Sequence, residues 1–122
     1  MFITLSPDSD VPLFKQIHDE IVAAIAHGQL RDGDKLDPVR RLAADFGINP
    51  ATVKKAYDKL VAEGLAETAG RSGTVVRPGA RTAAQSQQLD EGLTRVAWLA
   101  RAQGFNDSEI RDHLDAILKE LP

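Results

Sequence analysis

DPVRRLAADFGINPATVKKAYDKLVAEGL, residues 37–65, reads as two helices joined by a tight turn. Asp37 before Pro38, and Asn49 before Pro50, place a capping side chain ahead of a proline whose missing N–H costs nothing at a first helical position. Gly47 and Gly64 follow the two apolar runs, where helices commonly end in a positive-φ residue that glycine adopts without steric cost. Only Ile48 and Asn49 separate Gly47 from Pro50, so the two helices must turn sharply, as in a helix-turn-helix that offers its second helix to the DNA major groove. Val39, Leu42, Ala43 and Phe46 share one face of the first helix; Val53, Ala56, Tyr57, Leu60 and Val61 share one face of the second. Both faces are expected to pack inward. At the start of the second helix Ala51, Thr52, Lys54 and Lys55 face out, small or cationic side chains that permit close approach to a groove wall.

Outward from this pair, the pattern stays mainly helical. Ile3 and Leu5 alternate with Thr4, which suits a short extended arm. Pro12 opens a helix in which Leu13, Ile17, Ile21 and Ile25 recur on one face, and His27-Gly28 closes it, with His27 placed to meet carbonyls at the helix end. Leu30, Gly33 and Leu36 form a connector into the central pair. Beyond it, residues 65–68 and 74–77 are β-prone on either side of Ala69-Gly70-Arg71-Ser72-Gly73, which predicts a hairpin wing ended by Pro78-Gly79. A low-hydrophobicity stretch through Gln88 reads as a linker or a frayed helix start. Leu89, Leu93, Val96, Ala97 and Ala100 then make a helical stripe ending near Gly104. Asn106 with Glu109 forms a capping box, and Ile110, Leu114, Ile117, Leu118 and Leu121 continue as a last amphipathic helix.

A chain of 122 residues has room for about one domain and an appended element. Two helices cannot enclose a core of their own, so the apolar stripes of the tail are expected to pack on a second copy in a symmetric dimer. The absence of cysteine excludes a disulfide framework and suits a reducing cytoplasm, the expected location. The N-terminus lacks the pattern of a signal peptide, and no uncharged stretch is long enough to span a bilayer. A net charge of −3 speaks against a nucleic-acid partner, but its distribution does not: residues 35–77 carry eight cations against five carboxylates, a basic centre between acidic flanks. His18, His27 and His113 are too scattered for a metal site, Asp107, Glu109, Asp112 and Asp115 form a solvated acidic face, and neither a nucleophile cluster nor a glycine-rich phosphate loop is present. No enzyme activity, cofactor or metal is expected.

The run PLFKQIHDEIVAAIAHGQLRDGDKL, then VRRLAADFGINPATVKKAYDKLVAEGL and GRSGTVV, resembles the N-terminal winged helix of the GntR family of bacterial transcription regulators. The family's Gly-X-Leu-X-X-Gly-Asp-X-Leu segment stands at residues 28–36, and its Gly-X-Gly-Thr-type wing at Arg71-Ser72-Gly73-Thr74. The short two-helix tail and Ile48-Asn49-Pro50-Ala51-Thr52-Val53 are similar to the short-tailed YtrA-like subfamily, which implies a dimeric repressor. The resemblance implies DNA contacts from Arg40, from Thr52 and Lys54 in the recognition helix, and from a wing tip, Gly70 to Gly73, entering the minor groove. Leu36-Asp37-Pro38 replaces the family's Leu-Pro-Ser, and Pro50 stands where many relatives carry arginine, which shifts base reading to Thr52, Lys54 and Lys55. The larger effector domains of the family are absent, which leaves either no effector or a small-molecule one bound in a small pocket near the tail.

The expected fold is therefore mainly α: a winged helix-turn-helix of three helices plus a β-hairpin wing over residues 1–78, then a two-helix C-terminal dimerisation tail over 79–122. The DNA-contacting candidates are Arg40, Arg41, Asn49, Ala51, Thr52, Lys54 and Lys55, with Gly70, Arg71, Ser72 and Gly73 in the wing. Thr52 and a backbone N–H at the helix start suit phosphate, and the lysines have reach to phosphate or to guanine edges. Arg41, and to a lesser extent Arg40, could instead solvate the helix or pair with Asp37 and Asp45. A glycine-flanked Arg71 suits the negative potential of a narrow minor groove. The dimerisation candidates are Leu93, Val96, Trp98, Ile110, Leu114, Ile117, Leu118 and Leu121; Trp98, off the main stripe, fits core, pocket wall or dimer contact, and the last is preferred. The function these features predict is a sequence-specific DNA-binding transcription regulator, a dimeric repressor reading an inverted-repeat operator in double-stranded DNA. A rival is a protein-interaction module without DNA binding. Another is the detached head of an aminotransferase-like fused regulator, against which the amphipathic tail argues for a complete chain.

Overall fold

The computed structural model describes residues 3–77 and 79–122, with the side chain of Ser72 left out; the expected wing end at Pro78 lies outside the described residues. The chain forms two compact units, Met1–Gly79 and Ala80–Pro122. The first contains α1 (Leu13–Ala26), α2 (Val39–Phe46), α3 (Pro50–Ala62), β1 (Ala66–Thr68), a 3₁₀ turn (Gly70–Ser72) and β2 (Thr74–Val76); the second contains α4 (Ala83–Ala102) and α5 (Asp107–Lys119). The mainly helical winged architecture expected from the sequence is the one observed.

The apolar periodicities converge on one core. Ile17 and Ile21 of α1, Leu42 of α2, Val53 and Leu60 of α3 and Val76 of β2 are fully buried, and Ala43, Ala56, Tyr57, Leu36 and Ala66 complete the cluster. Phe46 and Val61, expected to face inward, are each 37% exposed, because they lie at the margins of their helical stripes. Residues 3–6 of the N-terminal arm pair with no strand. Ile3 and Leu5 pack on the core, and Gln16 pins the backbone behind them: its Oε1 accepts from the Ser6 N–H at 2.8 Å and its Nε2 donates to the Ser6 and Val11 carbonyls.

Caps account for most helix ends. Asn49 Oδ1 accepts the Ala51 N–H at 2.9 Å, with Pro50 opening α3. Gly47 closes α2 in the left-handed region at φ 64°, and the His27 ring nitrogen Nδ1 meets the Ala23 carbonyl at 2.7 Å. The expected cap of α2 is displaced by one residue. Pro38, with ψ at 142°, takes the N-cap position itself, and Asp37 presents its carbonyl to the Tyr57 hydroxyl, which donates to it at 2.7 Å. In the second unit, α4 starts inside the stretch read as a linker or a frayed helix start, and the helix-start alternative is the one observed: Thr82 and Gln85 form a reciprocal capping box. Asn106 and Glu109 form the one expected for α5, and Leu121 lies just beyond that helix.

The wing is an antiparallel hairpin with Ala66 opposite Val76 and Thr68 opposite Thr74. Its inner strand has a second neighbour that the sequence pattern missed. Val76 N–H donates to the Asp34 carbonyl at 2.8 Å, and Leu36 N–H to the Thr74 carbonyl at 2.9 Å, so residues 34–36 brace β2 from the other side.

Burial raises the Tyr57 hydroxyl well above its ordinary pKa of 10.0, with the Asp37 carboxylate adding to the effect. The folded state therefore favours the protonated phenol, and the stability it contributes is intact below pH 10.0 and lost as the pH rises beyond it. Tyr57 is the only tyrosine, so an ultraviolet titration of the native protein should show no phenolate step near pH 10 until the fold opens. Tyr57→Phe should cost about 1 kcal/mol in urea unfolding. A normal phenolate step in the folded protein would contradict this account.

Candidate nucleic-acid interface

The turn between α2 and α3 is set by Gly47, Ile48 and Asn49, and it leaves the first turn of α3 open to solvent. Ala51, Lys54 and Lys55 are exposed and Thr52 is half-buried, while Val53 and Ala56 between them are buried in the core. Arg40 and Arg41 are exposed on the first turn of α2. Arg71 is exposed in the 3₁₀ turn at the wing tip, which is closed by Ala69 N–H donating to the Gly73 carbonyl at 2.7 Å. Gly70 and Gly73 both sit at positive φ, 57° and 75°, so the tip requires them. The structure places all the DNA-contact candidates on the winged unit, Met1–Gly79.

Three local details change how these residues read. First, the N–H groups at the start of α3 are already used: Pro50 has none, Ala51 donates to the Asn49 side chain, and Thr52 donates to the Asn49 carbonyl at 3.0 Å. Asn49 is thus a cap, and a phosphate at this end must be met by side chains or displace it. Second, Lys54 Nζ sits 2.7 Å from Asp58 one turn on, with both side chains more than 60% exposed. Such a surface pair is worth only about 0.3–0.5 kcal/mol, too little to hold the lysine from a phosphate. Third, Lys55 Nζ lies over the Phe14 ring of α1, 4.0 Å from its centroid. Its neighbour in sequence is tied to its own helix; Lys55 is tied to another.

A polar cluster that sequence reading passed over lies at the other end of α3. His18 is 8% exposed, and its ring faces two carboxylates: Nδ1 meets Asp19 at 2.8 Å, and Nε2 meets Glu63. Burial alone would raise the Asp19 carboxyl, but hydrogen bonds and charge from Lys15 and His18 outweigh it and hold the group below its ordinary 3.8. That contribution is present above the ordinary carboxylate range and fades as the pH falls through it. Only the spacing of charged residues on α1 could have suggested the cluster; its partner Glu63, the residue that ends α3, is 45 residues away.

In the tail unit, no described residue of α4 or α5 is buried. Val96 is 62% exposed, Trp98 69% and Ile117 61%, which rules out the core reading of Trp98. Leu93, Leu114 and Leu118 are exposed as well, and Ile110 and Leu121 are half-exposed. Leu99, 61% exposed, and Phe105, edge-to-face with His113 at 5.8 Å, are further exposed apolar side chains of this unit and were missed because they fall outside the main stripes. Among the described residues, no group of His, Asp and Glu could hold a metal, and no helix is long and apolar enough to cross a membrane.

Three helices with a hairpin after the third define a winged helix-turn-helix. Residues 13–76 match the family described as "Bacterial regulatory proteins, gntR family", and the chain belongs to that family. It is 39% identical over 80 residues to the HTH-type transcriptional repressor YtrA of Bacillus subtilis, which covers 66% of this chain and 62% of that protein, less than two thirds of its length. The structure of YtrA from Sulfolobus acidocaldarius, a GntR-family transcription factor, superposes with a TM-score of 0.65 at 33% identity over 97% of both chains. The DNA-binding domain of AraR in complex with operator ORE1 superposes with a TM-score of 0.52 at 28% identity, over 62% of this chain and 93% of that one.

Asn49→Ala leaves the Ala51 N–H without its cap, so thermal unfolding should show a loss of about 1 kcal/mol. An unchanged midpoint would mean that Asn49 does not cap α3.

Proposed function

We propose that this chain is a sequence-specific DNA-binding transcription regulator, acting in the cytoplasm as a homodimeric repressor on an inverted-repeat operator. The observation that carries the reading is the joint exposure of the first turn of α3 and the wing tip on one winged unit of this family, supported by the likeness to the AraR DNA-binding domain captured on its operator. Residues 1–78 form the DNA-binding domain. The α3 helix enters the major groove, with Thr52 and Lys54 meeting phosphate or base edges, and Arg40 and Arg41 meeting the backbone. The wing, Gly70 to Gly73, reaches the minor groove through Arg71, where a cation gains most from the narrowed potential.

Residues 79–122 form the dimerisation tail. Its support is the exposure of Leu93, Val96, Trp98, Leu114, Ile117 and Leu118 on a two-helix unit without buried residues, an apolar surface that water opposes and a second copy would cover. Between α4 and α5 lies an almost wholly apolar cavity of about 420 Å³, walled by Leu93, Val96, Phe105, Ile110 and Ile117. It is the place where a small apolar effector would act on the dimer contact.

Wild-type affinity for a duplex from the promoter of its own gene should fall linearly with salt on logarithmic axes. Lys54→Ala and Arg71→Ala should each flatten the slope by about 0.9, the share of one phosphate. Salt-insensitive binding, or variants with the wild-type slope, would sink these contacts. Val96→Asp combined with Ile117→Asp should convert the particle in light scattering from dimer to monomer while circular dichroism keeps its helices; a persistent dimer would refute the tail's role.

A further inference from the structure

The two adjacent lysines of the recognition helix have different anchors. Lys54 is paired with Asp58 on α3 itself, an attachment that leaves the helix free to move as a body. The Lys55 ammonium rests on the face of Phe14, a half-buried ring in the first turn of α1, 4.0 Å from the centroid. At the far end of α3, Glu63 meets the buried His18 ring of α1. Between these two polar ties, α1 and α3 share the packed core built on Ile17, Ile21, Val53 and Leu60. Apolar packing of this kind sets the distance between helices but tolerates small slides and rotations; a directional contact near each end removes them.

We infer that Lys55 is a positioning residue and not a DNA contact: its ammonium and the Phe14 ring latch the N-terminal end of α3 to α1 and fix the angle at which Thr52 and Lys54 are presented. The inference rests on the DNA-binding reading above and gives Lys55, one of the DNA-contact candidates of the sequence, a different role. A helix with a loosened latch spends less time in the binding-competent orientation, and affinity falls by that fraction. A lysine spent on a ring adds nothing to the count of phosphates neutralised, so the salt dependence does not change.

The test uses the full chain and the same promoter duplex in a salt series. Lys55→Gln and Phe14→Leu should each weaken binding about two- to fivefold, the range of an exposed cation–π contact. The double variant should lose no more than either single one, and all three should keep the wild-type salt slope. Lys55→Arg should restore affinity, because a guanidinium stacks on an aromatic face as well. A slope flattened by about 0.9 in Lys55→Gln, with Phe14→Leu unchanged, would make Lys55 a phosphate contact and overturn the inference; so would additive losses, or no loss from either variant. If the wild type binds no DNA at any salt, the functional reading falls by itself, and the latch is then read from thermal unfolding. Non-additive losses from the two single variants support it there; additive or absent losses overturn it. Should Phe14→Leu fail to fold, the Lys55→Gln and Lys55→Arg pair gives the same answer: loss with an unchanged slope for the first and wild-type binding for the second support the latch, and any other pattern overturns it.

Discussion

Everything the winged unit presents to solvent depends on the packing of α1 against α3. Ile17 and Ile21 meet Val53 and Leu60 in a core that leaves these side chains no more than 1% exposed, with Leu42 and Val76 closing it from α2 and the wing. Because Val53 and Ala56 are committed inward, the helical period turns Ala51, Thr52, Lys54 and Lys55 outward, and no other arrangement of α3 keeps its apolar face dry. The wing depends on the same core through Val76, and its inner strand is held on both sides, by β1 and by residues 34–36. A hairpin of two three-residue strands is marginal alone; braced in this way it can hold Arg71 at a defined height beside α3.

Charge plays the opposite part, loose where packing is tight. The chain is acidic overall, yet residues 35–77 carry an excess of cations, and two of them, Lys54 and Arg77, are held only by exposed pairs. The exposed Lys54–Asp58 pair contributes a few tenths of a kcal/mol, so the lysine is screened in free solution and available to a phosphate at little cost. Arg77 likewise spans Asp32 and Glu67 at 3.5 Å on the surface. Carboxylates beside the cations keep a basic centre from binding every polyanion, while the packed core fixes which of them can be reached together.

What the sequence made legible was local. Asn49, Pro50 and Gly47 announce the turn because capping and positive φ are decided within a few residues, and the period of Val53, Ala56, Tyr57 and Leu60 needs only its own helix. Local signals also misled by small amounts. Pro38, extended at ψ 142°, took the cap position expected of Asp37. The illegible features join distant residues: Tyr57 to Asp37, Glu63 to His18, Lys55 to Phe14, and residues 34–36 to β2. None has a periodic or compositional trace, because each exists only once the core has brought its partners together. Lys55 is the instructive case among the sequence's DNA-contact candidates, since its position beside Lys54 gave no hint that a helix rotation of about 100° would send it to a ring on α1.

The central claim is that two winged units, joined through their tails, read DNA as a symmetric pair. Selection of duplexes from a random library by the full chain tests it most directly. The account predicts enrichment of an inverted repeat whose half-site centres lie about one helical turn, ~10 base pairs, apart. Enrichment of a single asymmetric site, or of no sequence at all, would contradict it.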